Sequence, residues 1–111
     1  MDDDAREVRF TRAAAEQLRA LRFSKADAKQ MFDRLKEVAA IRHINRVTAP
    51  DVCRIAQTDY EWMRLKLPDL HPSTRVVFSI EDHGRVLLVR LILRRTAGTY
   101  DVVEMEWRAV A

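Results

Sequence analysis

Only two glycines, Gly84 and Gly98, and a single cysteine, Cys53, occur in this chain of 111 residues. Glycines this far apart cannot build a phosphate-cradling loop of either the Walker or the dinucleotide-binding kind. The lone cysteine excludes an intrachain disulfide, and it has no CxxC or histidine partner at zinc-finger spacing, so it reads as a small buried hydrophobe. Three histidines, His43, His71 and His83, show no metal-ligand spacing and no triad context. Ser24, Ser73 and Ser79 lack a nucleophile-elbow setting, and the carboxylates are scattered over helix faces and turns. Acyl transfer and glycoside hydrolysis therefore have no support, and no metal or other cofactor is expected. Long apolar runs are missing too, which excludes a membrane-spanning helix. The opening MDDDA is acidic where a secretory signal would be basic, so the expected location is cytoplasmic.

What is present is the balance of a globular protein, 48% hydrophobic beside 33% charged residues. Residues 1–111 are expected to form one domain, able to bury roughly two-thirds of the surface of its unfolded chain. The net charge is +3 and the sequence pI about 9.4, which permits an anionic partner. Its distribution says more. From Arg64 to Arg95 there are seven basic residues against three acidic ones.

EVRF followed by Thr11 alternates as a short strand, with Val8 and Phe10 on one face. Thr11 is placed to cap a helix over RAAAEQLRAL, and Ser24 a second one, whose Ala28, Met31, Phe32, Leu35, Val38 and Ala39 form one apolar stripe. The two read as a helical hairpin covering something flat and apolar. TAPDVCRIA, with Thr48 as cap and Pro50 in the first turn, suggests a short helix. WMRLKL alternates as a strand, PDLHPS reads as a loop, RVVFSI resumes a strand, EDHG supplies a turn, and RVLLVRLILRR is a long strand. DVVEMEWRAV fits either a strand or a helix, and the alternation favours the strand. The expected fold class is α+β: an N-terminal strand and a helical hairpin packed on one face of an antiparallel sheet.

If the apolar residues of the strands face the helices, alternation puts Arg64, Lys66, Arg75, Arg90 and Arg94 together on the opposite face, with Trp62 among them. Basic residues on the solvated side of a half-buried sheet are ordinary. A tryptophan there needs a reason, such as stacking on a base, and Tyr100 arrives just beyond Arg94.

The order of a first strand, a helical hairpin, RLKL, RVVFSI, RVLLVRLILRR and a tyrosine after Gly98 resembles the RelE/ParE superfamily of bacterial toxin–antitoxin toxins. The resemblance implies that Arg64 and Lys66 are its basic-strand residues and Arg75 the arginine opening the next strand. Arg94, with Arg95 as the second candidate, would be its late arginine, and Tyr100 its tyrosine. Its RelE branch cleaves messenger RNA on the ribosome without a metal. The implied function is therefore a ribosome-associated endoribonuclease neutralised by a cognate antitoxin, in a toxin–antitoxin hetero-oligomer. Such cleavage requires a 2′-hydroxyl to lose its proton and the added negative charge at phosphorus to be stabilised. Lys66 is the candidate base, because a lysine crowded by cations gives up its proton more readily. Arg75 and Arg94 would hold the phosphate, Tyr100 would orient the substrate, and Trp62, Arg64, Arg90 and Arg95 would contact RNA. Two other classes stay open: a ParE-like inhibitor of DNA gyrase, and a nucleic-acid-binding module without activity.

Overall fold

The computed structural model describes residues 5–45, 48–54, 62–67 and 71–94. Its elements are β1 (Glu7–Phe10), α1 (Arg12–Ala20), α2 (Lys25–Ala39), β2 (Val52–Arg54), β3 (Trp62–Leu67), β4 (His71–Glu81) and β5 (Val86–Arg94). The strands form one sheet in the order β1-β5-β4-β3-β2. All neighbours are antiparallel except β1 and β5, which run parallel. The expected α+β architecture is thus present, with a mixed rather than wholly antiparallel sheet. Among the described residues, no helix is long and apolar enough to cross a membrane.

Local chemistry sets the helix ends. The Thr11 hydroxyl accepts from Ala14 N at 3.1 Å and the Ser24 hydroxyl from Asp27 N at 3.0 Å. Each such cap is worth about 1 kcal/mol. Between the helices Arg22 takes φ 52, the left-handed conformation that commonly ends a helix and lets the chain reverse. The buried stripe of α2, namely Met31, Leu35, Val38 and Ala39, joins Ala14 of α1 over the sheet residues Leu65, Leu67, Val76, Phe78, Leu87, Val89 and Ile92. Phe10 adds an edge-to-face contact with Phe32, ring centroids 5.3 Å apart.

Two expectations are corrected. Residues 48–54 do not form the expected helix, whose Ile55 and Ala56 lie outside the described residues: Val52–Arg54 is the edge strand β2, paired with Arg64, Met63 and Leu65 of β3. Thr48 closes a turn, its N–H donating to Asn45 Oδ1 while its hydroxyl accepts from Asn45 N. The open edge of β3 offers backbone partners that a short, isolated helix would lack. The loop PDLHPS is shorter than expected, because β4 already begins at His71 and the register slips between Lys66 and Leu67, leaving Leu67 opposite His71.

The turn before β2 is fixed from the helix layer. Arg34 Nε donates to Asp51 Oδ2 at 2.9 Å and its Nη2 to Oδ1, a bidentate pair with side chains 27% and 21% exposed. That carboxylate makes the Arg34 proton harder to remove than usual, with burial opposing it. Charge-assisted bonds of this kind contribute about 1.5–3 kcal/mol each.

Candidate functional site

Residues directly opposite on neighbouring strands share a face of the sheet. Lys66 opposes Arg75, which opposes Leu93; Arg64 opposes Val77, which opposes Leu91; Trp62 opposes Ser79. None of these belongs to the cluster under the helices, so they form the far face. Lys66 and Arg75 stand at one end of it, with Arg64 one step along.

Arg75 is nearly enclosed, 9% exposed, and its Nη1 donates to the carbonyl of Thr74 at 3.1 Å. Lys66 and Arg64 are half-buried. The backbone N–H of Lys66 donates to Asp51 O at 2.9 Å. The Arg34–Asp51 pair therefore holds the strand that carries Lys66, a link between residues distant in sequence that no spacing signals.

The other end of the far face is closed on itself. Trp62 is 2% exposed and packs with Val77 and Leu91. The guanidinium carbon of Arg90 lies 4.7 Å from the Trp62 ring centroid, its Nε donates to Ser79 Oγ at 2.8 Å and its Nη2 to Glu81 Oε1 at 2.5 Å. The expected stacking of Trp62 on a base is contradicted, because its ring is already covered. Arg90 is spent on protein partners and is not arrayed towards a ligand.

Arg94 departs furthest from expectation. The register shifts between Val77 and Phe78, so that Val77 opposes Leu91 while Phe78 opposes Val89. Arg90 is the extra residue of a β-bulge, which interrupts the period of two. Leu87 and Val89 face the helices, but so does Ile92, whereas Leu91 and Leu93 turn to the far face. Arg94 opposes Thr74 and follows Ile92 to the helix side, away from Lys66 and Arg75. Arg95 and Tyr100 lie outside the described residues.

The strand beyond the bulge is held by α1. Ile92 N donates to Gln17 Oε1 at 2.7 Å, and the Thr11 hydroxyl donates to Arg90 O at 3.0 Å. Past the end of β1, which stops opposite Val89, these side chains satisfy backbone groups that a neighbouring strand would otherwise take. Thr11 therefore serves both as helix cap and as strand partner, a role its N-cap spacing alone does not reveal. Among the described residues no three histidine, cysteine or acidic side chains cluster as a metal site.

No protein-family profile matches the sequence, and no curated protein matches it. Solved structures do. E. coli toxin RelE, as a double mutant in the free state, superposes with a TM-score of 0.67 at 17% identity, covering 96% of this chain and 97% of that one. The fold is RelE-like. RelE in the intact E. coli RelBE toxin–antitoxin complex matches at TM-score 0.63 and 17% identity, over 83% of this chain and 99% of that one. The archaeal RelE–RelB complex from Pyrococcus horikoshii OT3 matches at 0.59 and 17%, over 84% and 98%. Within this RelE-like fold Lys66 and Arg75 sit on adjacent central strands, on the face that the two described helices leave alone.

Proposed function

We propose that the chain is the toxin of a type II toxin–antitoxin pair, a ribosome-associated endoribonuclease that cleaves messenger RNA without a metal and is neutralised by a cognate antitoxin in a hetero-oligomer. The observation that carries this reading is the cross-strand pair Lys66–Arg75, with Arg64 on the same face. Like charges directly opposite one another destabilise a sheet, by up to about 1 kcal/mol. A phosphate set between them would relieve the repulsion, so the pair suits an anionic substrate better than it suits the fold. The RelE-like fold supports the same reading, and two of its structural neighbours are toxins bound to their antitoxins.

In this reading Lys66 Nζ takes the proton of a ribose 2′-hydroxyl, and the 2′ oxygen forms a bond to the neighbouring phosphorus as the bond to the 5′ oxygen breaks. The leaving 5′ oxygen gains a proton in turn. Arg75, whose side chain is packed and thus preorganised, stabilises the charge gathering on the phosphate oxygens, and Arg64 steers the adjoining phosphate. Tyr100 and Arg95 complete the proposed set, as substrate-orienting and phosphate-binding groups. Arg94, on the helix side, is left out of it.

Primer-extension mapping of transcripts after brief expression tests the reading. Codon-phased cuts that disappear in Lys66→Ala are expected. Intact transcripts accompanied by DNA damage would overturn it in favour of a gyrase inhibitor, and intact transcripts without damage in favour of an inactive binding module.

A further inference from the structure

Lys66 is the last residue of β3 in regular register with β4. It stands opposite Arg75, and the register then jumps, so that Leu67 stands opposite His71. On its other side the Lys66 backbone is held by the carbonyl of Asp51, which accepts its N–H at 2.9 Å. Asp51 lies one residue before β2, a three-residue strand at the edge of the sheet. Of the three, Val52 enters the core, whereas Cys53 is half-buried and Arg54 exposed. The end of so short an edge strand opens at little cost, because few backbone bonds and few apolar contacts oppose it. Here the end is held from the helix layer instead. Arg34 Nε and Nη2 donate to the two carboxylate oxygens of Asp51, and its Nη1 donates to Glu37 Oε2 at 3.0 Å. The stretch of α2 around Arg34 is anchored in turn by Met31, Leu35 and Val38, all completely buried. A continuous line of contacts thus runs from the core through Arg34 and Asp51 to the backbone of Lys66.

We propose that Arg34 is a positioning residue for the far-face site: through Asp51 it fixes the backbone of Lys66 where Lys66 stands opposite Arg75. The inference rests on the endoribonuclease reading, in which Lys66 Nζ must meet a ribose 2′-hydroxyl. Arg34 touches no substrate in it and acts only through Asp51. A misplacement of about 1 Å caused by a change far from the chemistry can cost about a hundredfold in rate, so a base at the point where the ladder breaks needs a second hold. A bidentate arginine–carboxylate pair suits that task, because two parallel bonds fix direction as well as distance, which the single bond of a lysine does not. Without the grip, Arg64 and Arg75 still bind the substrate phosphates and Lys66 is still present, but the base is no longer set against its proton. The loss therefore falls on the rate of cleavage and not on affinity. A pair that merely anchored the sheet edge would lower Tm and leave the rate at saturation alone.

The test is single-turnover cleavage of ribosome-bound messenger RNA by the full chain over a series of ribosome concentrations, which separates rate from affinity. Arg34→Met should lower the rate constant at saturation about tenfold and leave the half-saturating concentration unchanged. Arg34→Lys, with one donor in place of two, should recover part of the rate. Phe32→Leu, which weakens the contact with Phe10 from the same helix, is the stability control and should lower Tm without changing either constant. Hydrogen exchange at the Lys66 amide should quicken more in Arg34→Met than in Phe32→Leu. If Arg34→Met fails to fold, Asp51→Asn, which weakens the same grip, should show the same loss of rate. The inference is overturned if the parent cleaves and the folded variant cleaves as fast at saturation, if the loss appears in the half-saturating concentration alone, or if Phe32→Leu loses as much rate. A parent that cuts nothing would overturn the endoribonuclease reading itself, and this inference with it.

Discussion

The two faces of the sheet are built by different rules. Under the helices the described strand residues are almost wholly apolar, and Leu65, Val76, Phe78, Leu87 and Val89 are completely buried. The far face is divided. At one end Arg90 is neutralised by Glu81, bonded to Ser79 and laid over Trp62; at the other Lys66 and Arg75 stand opposite each other with like charge. Where a cation serves the fold it is given protein partners of complementary chemistry. Where Lys66 and Arg75 are opposed on neighbouring strands, their like charge costs the sheet some stability, and the proposed phosphate ligand would offset it.

Substitutions can sharpen this contrast. The largest loss is expected on the helix side, where Phe78→Ala should cost about 3–5 kcal/mol, measured by urea denaturation. Gln17→Leu should come next. It removes the acceptor for Ile92 N, and a part-buried donor left without its partner costs about 1–3 kcal/mol; Gln17→Glu, which keeps an acceptor, should lose less. At the closed end of the far face, a double-mutant cycle of Trp62→Leu and Arg90→Met should give a coupling of about 0.5–2 kcal/mol, the range for a desolvated cation–π contact. A coupling near zero would mean that Arg90 is not held by the ring.

The smallest effect is expected on the outer surface of α2. There Lys29 Nζ donates to Asp33 Oδ2 at 2.8 Å, and this bond holds the Asp33 carboxyl below its usual range. A carboxylate lowered on folding stabilises the protein above its unfolded pKa, and the gain is lost as pH falls through the folded one. Asp33→Asn should therefore lower Tm slightly at neutral pH, where the gain is fully present, and let that difference vanish as pH falls from about 4, flattening the acid decline.

Elements governed by near neighbours were legible in the sequence. Thr11 and Ser24 cap the two helices, the stripe from Met31 to Ala39 is the buried face of α2, and EVRF, WMRLKL, RVVFSI and the long strand ending at Arg94 are all strands. That Lys66 and Arg75 share a face away from the helices followed from period-two alternation; that they stand directly opposite each other is set by the register of β3 against β4. What alternation could not reveal is where it breaks. The bulge at Arg90 is decided by how β5 meets β4, and it carries Arg94 to the other face while every residue before it stays in place. β2 was misread as a helix because a three-residue edge strand has no period of its own and exists only by pairing with β3. The bonds from Gln17 to Ile92 and from Arg34 to Asp51 join residues far apart along the chain and leave no local pattern at all.

The central claim is that the like-charged pair belongs to a ligand rather than to the fold, and cleavage and stability measured together on two variants test it most directly. Lys66→Ala should abolish codon-phased cleavage of transcripts while leaving Tm equal to the parent or slightly above it, and Arg94→Ala should leave cleavage largely intact. Loss of cleavage in Arg94→Ala with full activity in Lys66→Ala, each variant remaining folded, would contradict the account.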